Sequence, residues 1–447
     1  MHIALMHFRV GFTDGVSLEM EKWKWALESL GHSVSYIAGE AQDVDAFIIP
    51  ELSIKSPIHH RFFKNAFEAR TDYADEAAFM AAIYDQAQTI ETALLELIHS
   101  HGIECLIPNN IQSLGLHLPA GIALSHVVEK TGIQTIFHHH DFHWERDRYQ
   151  SPTSQGILNL LKSHFPDGRL IARHCVINQI AQGELKKRTG LESYVVPNVF
   201  DFHDSVWKID SYNQTLIEKL AIRPHDLVFL QATRIEDRKA IELAIDTLVE
   251  IHHRLPQWAS KVTYKGTRLS AQSTLHFILA GLNEMNPSQW VKLKSKLDAA
   301  PFKVHIISDL VTTQRQSNPT TYALWDVYPI ADWVTYPSIL EGFGNQLLEA
   351  MFAKKPLLIY EYPVYVSDIK AVDLDVVSLG HVHHVNDAGM IEVDPETITH
   401  AATEILTTLT DKKRYTDMIE RNFAKGVTHY SYATLKEHVS YIIHTNK

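Results

Sequence analysis

Apolar residues along the first half of this chain switch repeatedly between two spacings. Residues 3–8 form a short apolar run of strand type, and over 17–30 Met20, Trp23, Leu27 and Leu30 fall on one helical stripe that Gly31 ends. Strand-like runs recur at 33–38, 46–50, 103–108, 134–138, 175–178 and 194–196, with helical patterns between most of them, notably 88–100 and 121–130. A second series begins at 227–232 and continues through a helix over 239–254 and strands at 274–280, 303–307, 333–336 and 356–360. Strands that alternate with helices predict parallel sheets covered on both faces. The stretch Pro197-Asn198-Val199-Phe200-Asp201 and the polar residues up to Asp226, with a proline at 224, separate the two series and read as a hinge. The expected domains are 1–203 and 204–428, followed by 429–447, where an amphipathic helix over 432–444 carries Leu435, Val439, Ile442 and Ile443 on one side.

Composition narrows the class. At 447 residues the chain exceeds one ordinary core and suits two α/β domains. Its 45% hydrophobic and 21% charged content is that of a globular protein. A formal charge of −12 argues against a broad surface for nucleic acid or anionic lipid, so no nucleic-acid partner is expected. No apolar run reaches the length of a membrane span, and Met1 leads directly into strand-like sequence rather than a leader; the expected location is the cytoplasm. Cys105 and Cys175 both lie in apolar runs and read as reduced core residues.

Candidate chemistry centres on Glu341 and Glu349, eight positions apart. The first acid precedes a turn flanked by Gly342 and Gly344, and the second falls two turns into the amphipathic run that follows. Backbone N–H groups at a helix start favour an anion, glycine admits a ligand close to the main chain, and carboxylates accept from vicinal hydroxyls. The segment therefore suits a sugar and a phosphate; an acidic turn before a surface helix is the alternative for any lone pair of Glu residues. Upstream, Arg234 and Lys239 flank the end of the 227–232 strand, where open α/β sheets bind ligands and where fixed positive charge suits an anion; a solvated basic turn is the alternative. In the first half, Phe137-His138-His139-His140-Asp141-Phe142-His143-Trp144 raises a metal site, since imidazole and carboxylate bind zinc. Successive strand side chains face opposite ways, however, and no spaced Cys or His set accompanies the run, so no metal is expected. Gly11-Phe12-Thr13-Asp14-Gly15 lacks the G-x-G-x-x-G spacing of dinucleotide binding, which disfavours a nicotinamide enzyme.

The run from Pro337 to Pro356 resembles the E-x7-E signature of retaining glycosyltransferases, most closely the family-4 group (glycosyl transferases group 1). Both acids, the Gly-Phe-Gly between them and the Glu-Ala-Met after match; Lys354-Lys355 stand where members commonly carry a glycine before the proline. The resemblance covers most of the chain and is densest over 227–368. It implies an α/β GT-B fold, two Rossmann-like doubly wound domains facing a central cleft, with the last helix packing back on the first domain. It assigns Glu349 to the ribose hydroxyls and Glu341 to the transferred sugar, with the amides of Gly342, Phe343, Gly344 and Asn345 near the sugar and distal phosphate. Arg234 and Lys239 resemble the family's diphosphate-binding pair, a role that the adjacent Arg238 can also fill. His140-Asp141 matches a His–Asp pair at the donor sugar, and Gly15 corresponds to a loop glycine over the donor phosphates, although Asp14 stands where most members have a second glycine. Asn109, Asn110, Glu145, Arg146 and Arg148 are weaker acceptor-side candidates, and 56–73 reads as an acceptor-side insertion or a helical excursion.

These resemblances imply a metal-independent, retaining hexosyltransferase with no resident cofactor. The nucleotide sugar is a co-substrate, and the acceptor is a small molecule, saccharide or lipid-linked hydroxyl. A GT-B phosphorylase, a nucleotide-sugar epimerase and a non-catalytic sugar-binding protein use the same residue types. The acids and cations recognise features shared by all nucleotide sugars, so they leave base, sugar, acceptor and oligomeric state open.

Overall fold

A computed structural model describes residues 1–12 and 14–445. The chain divides into two units, Met1–Asn198 with Tyr432–Lys447, and Val199–Ser431. In the first unit the chain runs β1 (His2–Val10), α1 (Gly15–Ser29), β2 (Ser33–Ala41), β3 (Phe47–Ile48), α2 (Pro57–Phe67), α3 (Glu76–His101), β4 (Cys105–Pro108), α4 (Leu118–Thr131), β5 (Gln134–His139), α5 (Gln155–His164), β6 (Arg173–Val176), α6 (Gln179–Thr189) and β7 (Tyr194–Val195). All seven strands are parallel, in the order β3-β2-β1-β4-β5-β6-β7. Ile3 to Met6 are fully buried because both faces of β1 are covered, which is why the strand reads as a continuous apolar run.

The second unit contains α7 (Gln214–Lys219), β8 (Leu227–Gln231), α8 (Ile241–Arg254), β9 (Leu275–Leu279), α9 (Pro287–Asp298) and β10 (Lys303–Ile306). Three short strands follow, β11 (Val311–Thr312), β12 (Gln316–Ser317) and β13 (Thr320–Ala323), then α10 (Leu324–Val327), β14 (Trp333–Tyr336), α11 (Asn345–Phe352), β15 (Leu357–Ile359) and β16 (Val377–Ser378). A hairpin, β17 (His384–Val385) and β18 (Ile391–Glu392), precedes α12 (Pro395–Leu409) and α13 (Lys412–His429). The main sheet is parallel, in the order β10-β9-β8-β14-β15-β16. In each unit the chain winds outward from one strand and then returns to its other side. The order therefore reverses between β1 and β4 in the first sheet and between β8 and β14 in the second, and ligands in such sheets bind beyond the carboxyl ends at this point.

The last helix, α14 (Tyr432–His444), belongs to the first unit. Its apolar side, Leu435, Val439, Ile442 and Ile443, is buried, and Tyr432 packs on Trp25 of α1 with ring centroids 4.9 Å apart.

Several boundaries move for identifiable reasons. α1 begins two residues before the apolar stripe, because the Asp14 carboxylate accepts from the amides of Val16 and Ser17 and caps it there. α3 extends twelve residues upstream of its predicted start, from the Asp75 cap to Gly102, which takes the left-handed conformation at φ +59°. β6 stops at Val176, since Asn178 is the cap of α6, accepting from Ala181 N at 2.7 Å. The 56–73 stretch contains helix α2, capped by Ser56 with Pro57 in its first turn. Cys105 and Cys175 are both free and buried. Among the described residues, no helix is long and apolar enough to cross a membrane.

Candidate active site

In the second unit the chain leaves β8 through Thr233 and Arg234 into a 3-10 turn, Asp237–Lys239, before α8. Next to it, β14 delivers Pro337 to Gly344. The two loops are tied by their main chains, because Ile339 N donates to Arg238 O at 2.9 Å. Side chains reinforce the tie. Glu341 is 9% exposed; its Oε1 accepts from Lys239 Nζ at 2.5 Å and its Oε2 from Arg238 Nη1 at 2.9 Å. Arg238 Nη1 also donates to Leu340 O at 3.1 Å, and its Nε to Glu236 Oε2 at 2.8 Å. Burial works against the Glu341 charge, but Lys239 and Arg238 outweigh it and hold the carboxyl below its ordinary value. Both basic residues of the 238–239 pair thus meet the same acid. Arg234 points elsewhere: half exposed, it donates to Glu284 Oε2 at 2.8 Å and stands 3.9 Å from Glu236. The result is an alternating chain of charges, Glu284, Arg234, Glu236, Arg238, Glu341 and Lys239, at the carboxyl edge of the sheet.

Gly344 requires its glycine. Its φ is +128°, and a Cβ there would lie 2.5 Å from the Tyr362 hydroxyl and 2.9 Å from that of Tyr336. This left-handed residue delays the helix to Asn345, so Glu349 lies a little over one turn into α11 rather than two. Glu349 Oε2 accepts from the buried Tyr328 hydroxyl at 2.6 Å, and burial together with that carboxylate pushes the phenol well above its ordinary range. Phe343 is buried in the core, 5.5 Å edge-on from Tyr430, so its side chain is a packing element; its carbonyl accepts from Tyr362 Oη at 2.6 Å. Gly342 is exposed and Asn345 half-buried.

In the first unit the corresponding edge is built around Asn109 and Asn110, directly after β4. Asn109 Nδ2 donates to Ile107 O, which leaves Oδ1 to accept from His138 Nδ1 at 2.9 Å and His140 Nε2 at 3.1 Å. Asn110, in the left-handed conformation at φ +56°, accepts the main-chain N–H of His140 and of Asp141 through Oδ1 at 2.7 and 3.3 Å. His7, near the end of β1, donates from Nδ1 to Asn109 O at 2.8 Å. Burial lowers the His140 imidazole to about 3, with His7 adding to the effect, and burial lowers His7 to about 4. Both rings are neutral near pH 7, and the Asn109 bond fixes the His140 proton on Nε2.

The remaining histidines separate. His139 bonds Ser113 Oγ at 2.5 Å and His174 Nδ1 at 3.0 Å, while His138 packs 4.6 Å from the Trp23 ring. Among the described residues no three or more His, Cys, Asp or Glu side chains gather as metal ligands. Asp141 pairs with Arg146 at 2.7 Å; Glu145 accepts from Phe142 N at 2.8 Å; Arg148 lies over the Phe63 and Tyr149 rings. These last contacts shape the loop. In the loop before α1, Gly15 has a negative φ and open space at its Cβ, whereas Gly11, at φ +77°, would place a Cβ 1.8 Å from Gln42 O. The conformational need for glycine is therefore at Gly11; Thr13 lies outside the described residues. Sequence reasoning passed over His7 and ranked Asn109 low. Their position, His7 near the carboxyl end of β1 and Asn109 directly after β4, the two strands flanking the reversal point, is the signal that finds them.

Two doubly wound parallel sheets in one chain, each with polar loops at its reversal point, make up the GT-B architecture. The sequence profile described as "Glycosyl transferases group 1" matches residues 213–425, and the chain belongs to this family of glycosyltransferases. It is 41% identical over 412 residues to mannosylglucosylglycerate synthase of Petrotoga mobilis, covering 92% of this chain and 94% of that protein. Over 441 residues it is 38% identical to mannosylglucosylglycerate synthase of Thermotoga maritima, covering 98% and 99% respectively. Among solved structures, Anabaena Alr3699/HepE in complex with UDP-glucose superimposes with a TM-score of 0.58 at 14% identity, over 99% of each chain.

Proposed function

We propose that this glycosyltransferase moves a mannosyl group from a nucleoside diphosphate sugar to a hydroxyl of glucosylglycerate, forming mannosylglucosylglycerate. The observation that carries this reading is the near full-length similarity to two proteins of that name. The second unit supplies the donor side. Arg234 and Lys239 neutralise the diphosphate as it leaves, Glu341 accepts from hydroxyls of the transferred sugar, and Glu349 from the ribose. The amides of Gly342, Phe343, Gly344 and Asn345 face the sugar and distal phosphate. On the first unit, His140 and Asp141 serve the reacting sugar, with Gly15 in the loop before α1.

Reaction proceeds with retention. The bond from the anomeric carbon to the diphosphate oxygen breaks, the acceptor hydroxyl oxygen bonds to the same face, and its proton passes to the departing diphosphate. Two cations within six residues, Arg234 and Lys239, support neutralisation by side chains without a metal. To test this, the purified protein is incubated with glucosylglycerate and, in turn, GDP-, UDP- and ADP-mannose, with and without EDTA, and products are followed by proton NMR. One nucleotide should give a product of linked mannose, glucose and glycerate whose new anomeric coupling matches the donor's, at an unchanged rate in EDTA. Inversion would remove the stereochemical assignment, loss of rate in EDTA the metal-independent one, and no product from any donor the substrate assignment.

A further inference from the structure

The chain of charges at the carboxyl edge of the second sheet poses an exchange problem. Lys239 Nζ lies 2.5 Å from Glu341 Oε1, yet the donor reading asks Lys239 to meet a diphosphate and Glu341 to meet sugar hydroxyls. When the ammonium turns to phosphate, a carboxylate only 9% exposed loses one of its two charged partners. A buried carboxylate left short of countercharge moves or takes up a proton. Arg238 is placed to prevent both. It grips the opposite oxygen, Glu341 Oε2, at 2.9 Å, and is itself fixed by Glu236 Oε2 at 2.8 Å and by two bonds across the loops, from its side-chain Nη1 to Leu340 O at 3.1 Å and from Ile339 N to Arg238 O at 2.9 Å. A guanidinium keeps its charge throughout and reaches three acceptors in fixed directions, which a lysine at this position cannot do.

We propose that Arg238 is a positioning residue: it holds Glu341 in register with the sugar while Lys239 is released to the diphosphate. This assignment rests on the donor reading above. It differs from a second diphosphate cation in where its effect falls. A phosphate ligand contributes equally to nucleoside diphosphate and nucleotide sugar, whereas a residue acting through Glu341 contributes only when the sugar is present.

The test is titration calorimetry of the full chain and its Arg238→Ala, Arg238→Lys, Glu341→Gln and Arg238→Ala/Glu341→Gln variants with GDP, UDP and ADP and with GDP-, UDP- and ADP-mannose, alongside steady-state transfer. For whichever nucleotide the unmodified chain binds, Arg238→Ala should change the Kd of the bare diphosphate by less than about twofold. It should weaken the nucleotide sugar about tenfold and lower kcat, and Arg238→Lys should recover part of both. In the double variant, replacing Arg238 should add nothing to the loss from Glu341→Gln. Equal weakening of bare diphosphate and nucleotide sugar, or additive losses, would overturn the positioning role and leave the donor reading standing. Failure of the unmodified chain to bind any of the six probes would remove the donor reading and this proposal together.

Discussion

Single residues here act through what their neighbours leave no room for. Gly344 cannot carry a side chain without meeting two buried tyrosine hydroxyls, and its φ of +128° is strained for any other residue. Gly344→Ala should therefore lower the thermal midpoint, with a backbone cost of about 1–3 kcal/mol, and abolish donor protection against unfolding; a variant with an unchanged midpoint and normal donor protection would disprove the steric account. Arg234 contrasts with it. Its side chain is 51% exposed and paired only at the surface, so Arg234→Ala should leave stability nearly unchanged. Turnover should nevertheless fall on the order of 100-fold if Arg234 meets the leaving diphosphate. Parallel melting and transfer assays separate the two effects, and near-normal turnover would take Arg234 out of the leaving-group role.

At the scale of elements, position along the chain and position in the fold part company at α14. The helix is last in sequence, yet its apolar side is buried in the unit built from the first 198 residues. Leu435, only 1% exposed, is in that seam. Leu435→Ala should cost about 2–5 kcal/mol through lost burial and the cavity left behind. Hydrogen exchange should then report weaker amide protection in Met1–Asn198 and unchanged protection in Val199–Ser431; a uniform loss across both would contradict the assignment. The amphipathic stripe was plain in the sequence, because a helix face is a local pattern. Which surface it covers followed only from the family resemblance, because no local pattern names a partner.

Across the whole molecule, histidine ties stability to pH unevenly. Burial holds His7 at about 4 and His117 at about 3, and pushes His138 and His139 well below the usual imidazole value, all in the first unit. A folded-state value below that of the unfolded chain means that the unfolded chain binds more protons as pH falls below about 6.5. The stabilisation is thus complete above that pH and is lost on acidification toward the folded values. At pH 5 His7 and His117 each account for about 2 kcal/mol. Urea denaturation followed by hydrogen exchange at pH 7.5 and pH 5 should show the first unit losing most of its margin; equal stability at both values would refute the neutral-imidazole reading.

The sequence by itself determined the fold class and the family. Alternating strand and helix periods are consequences of local burial, and the segment around Glu341 and Glu349 carries its resemblance within twenty residues. Tertiary structure decided which groups meet. Lys239 and Glu341 are 102 positions apart and His140 and Asn109 31; the first pair forms because β8 and β14 lie side by side where strand order reverses, the second because β5 pairs alongside β4. Strand register is a long-range property of backbone pairing, with no trace in the spacing of any one segment. The same reason explains why Arg238, an understudy for Lys239 when read in sequence, becomes the second hold on Glu341 in the fold.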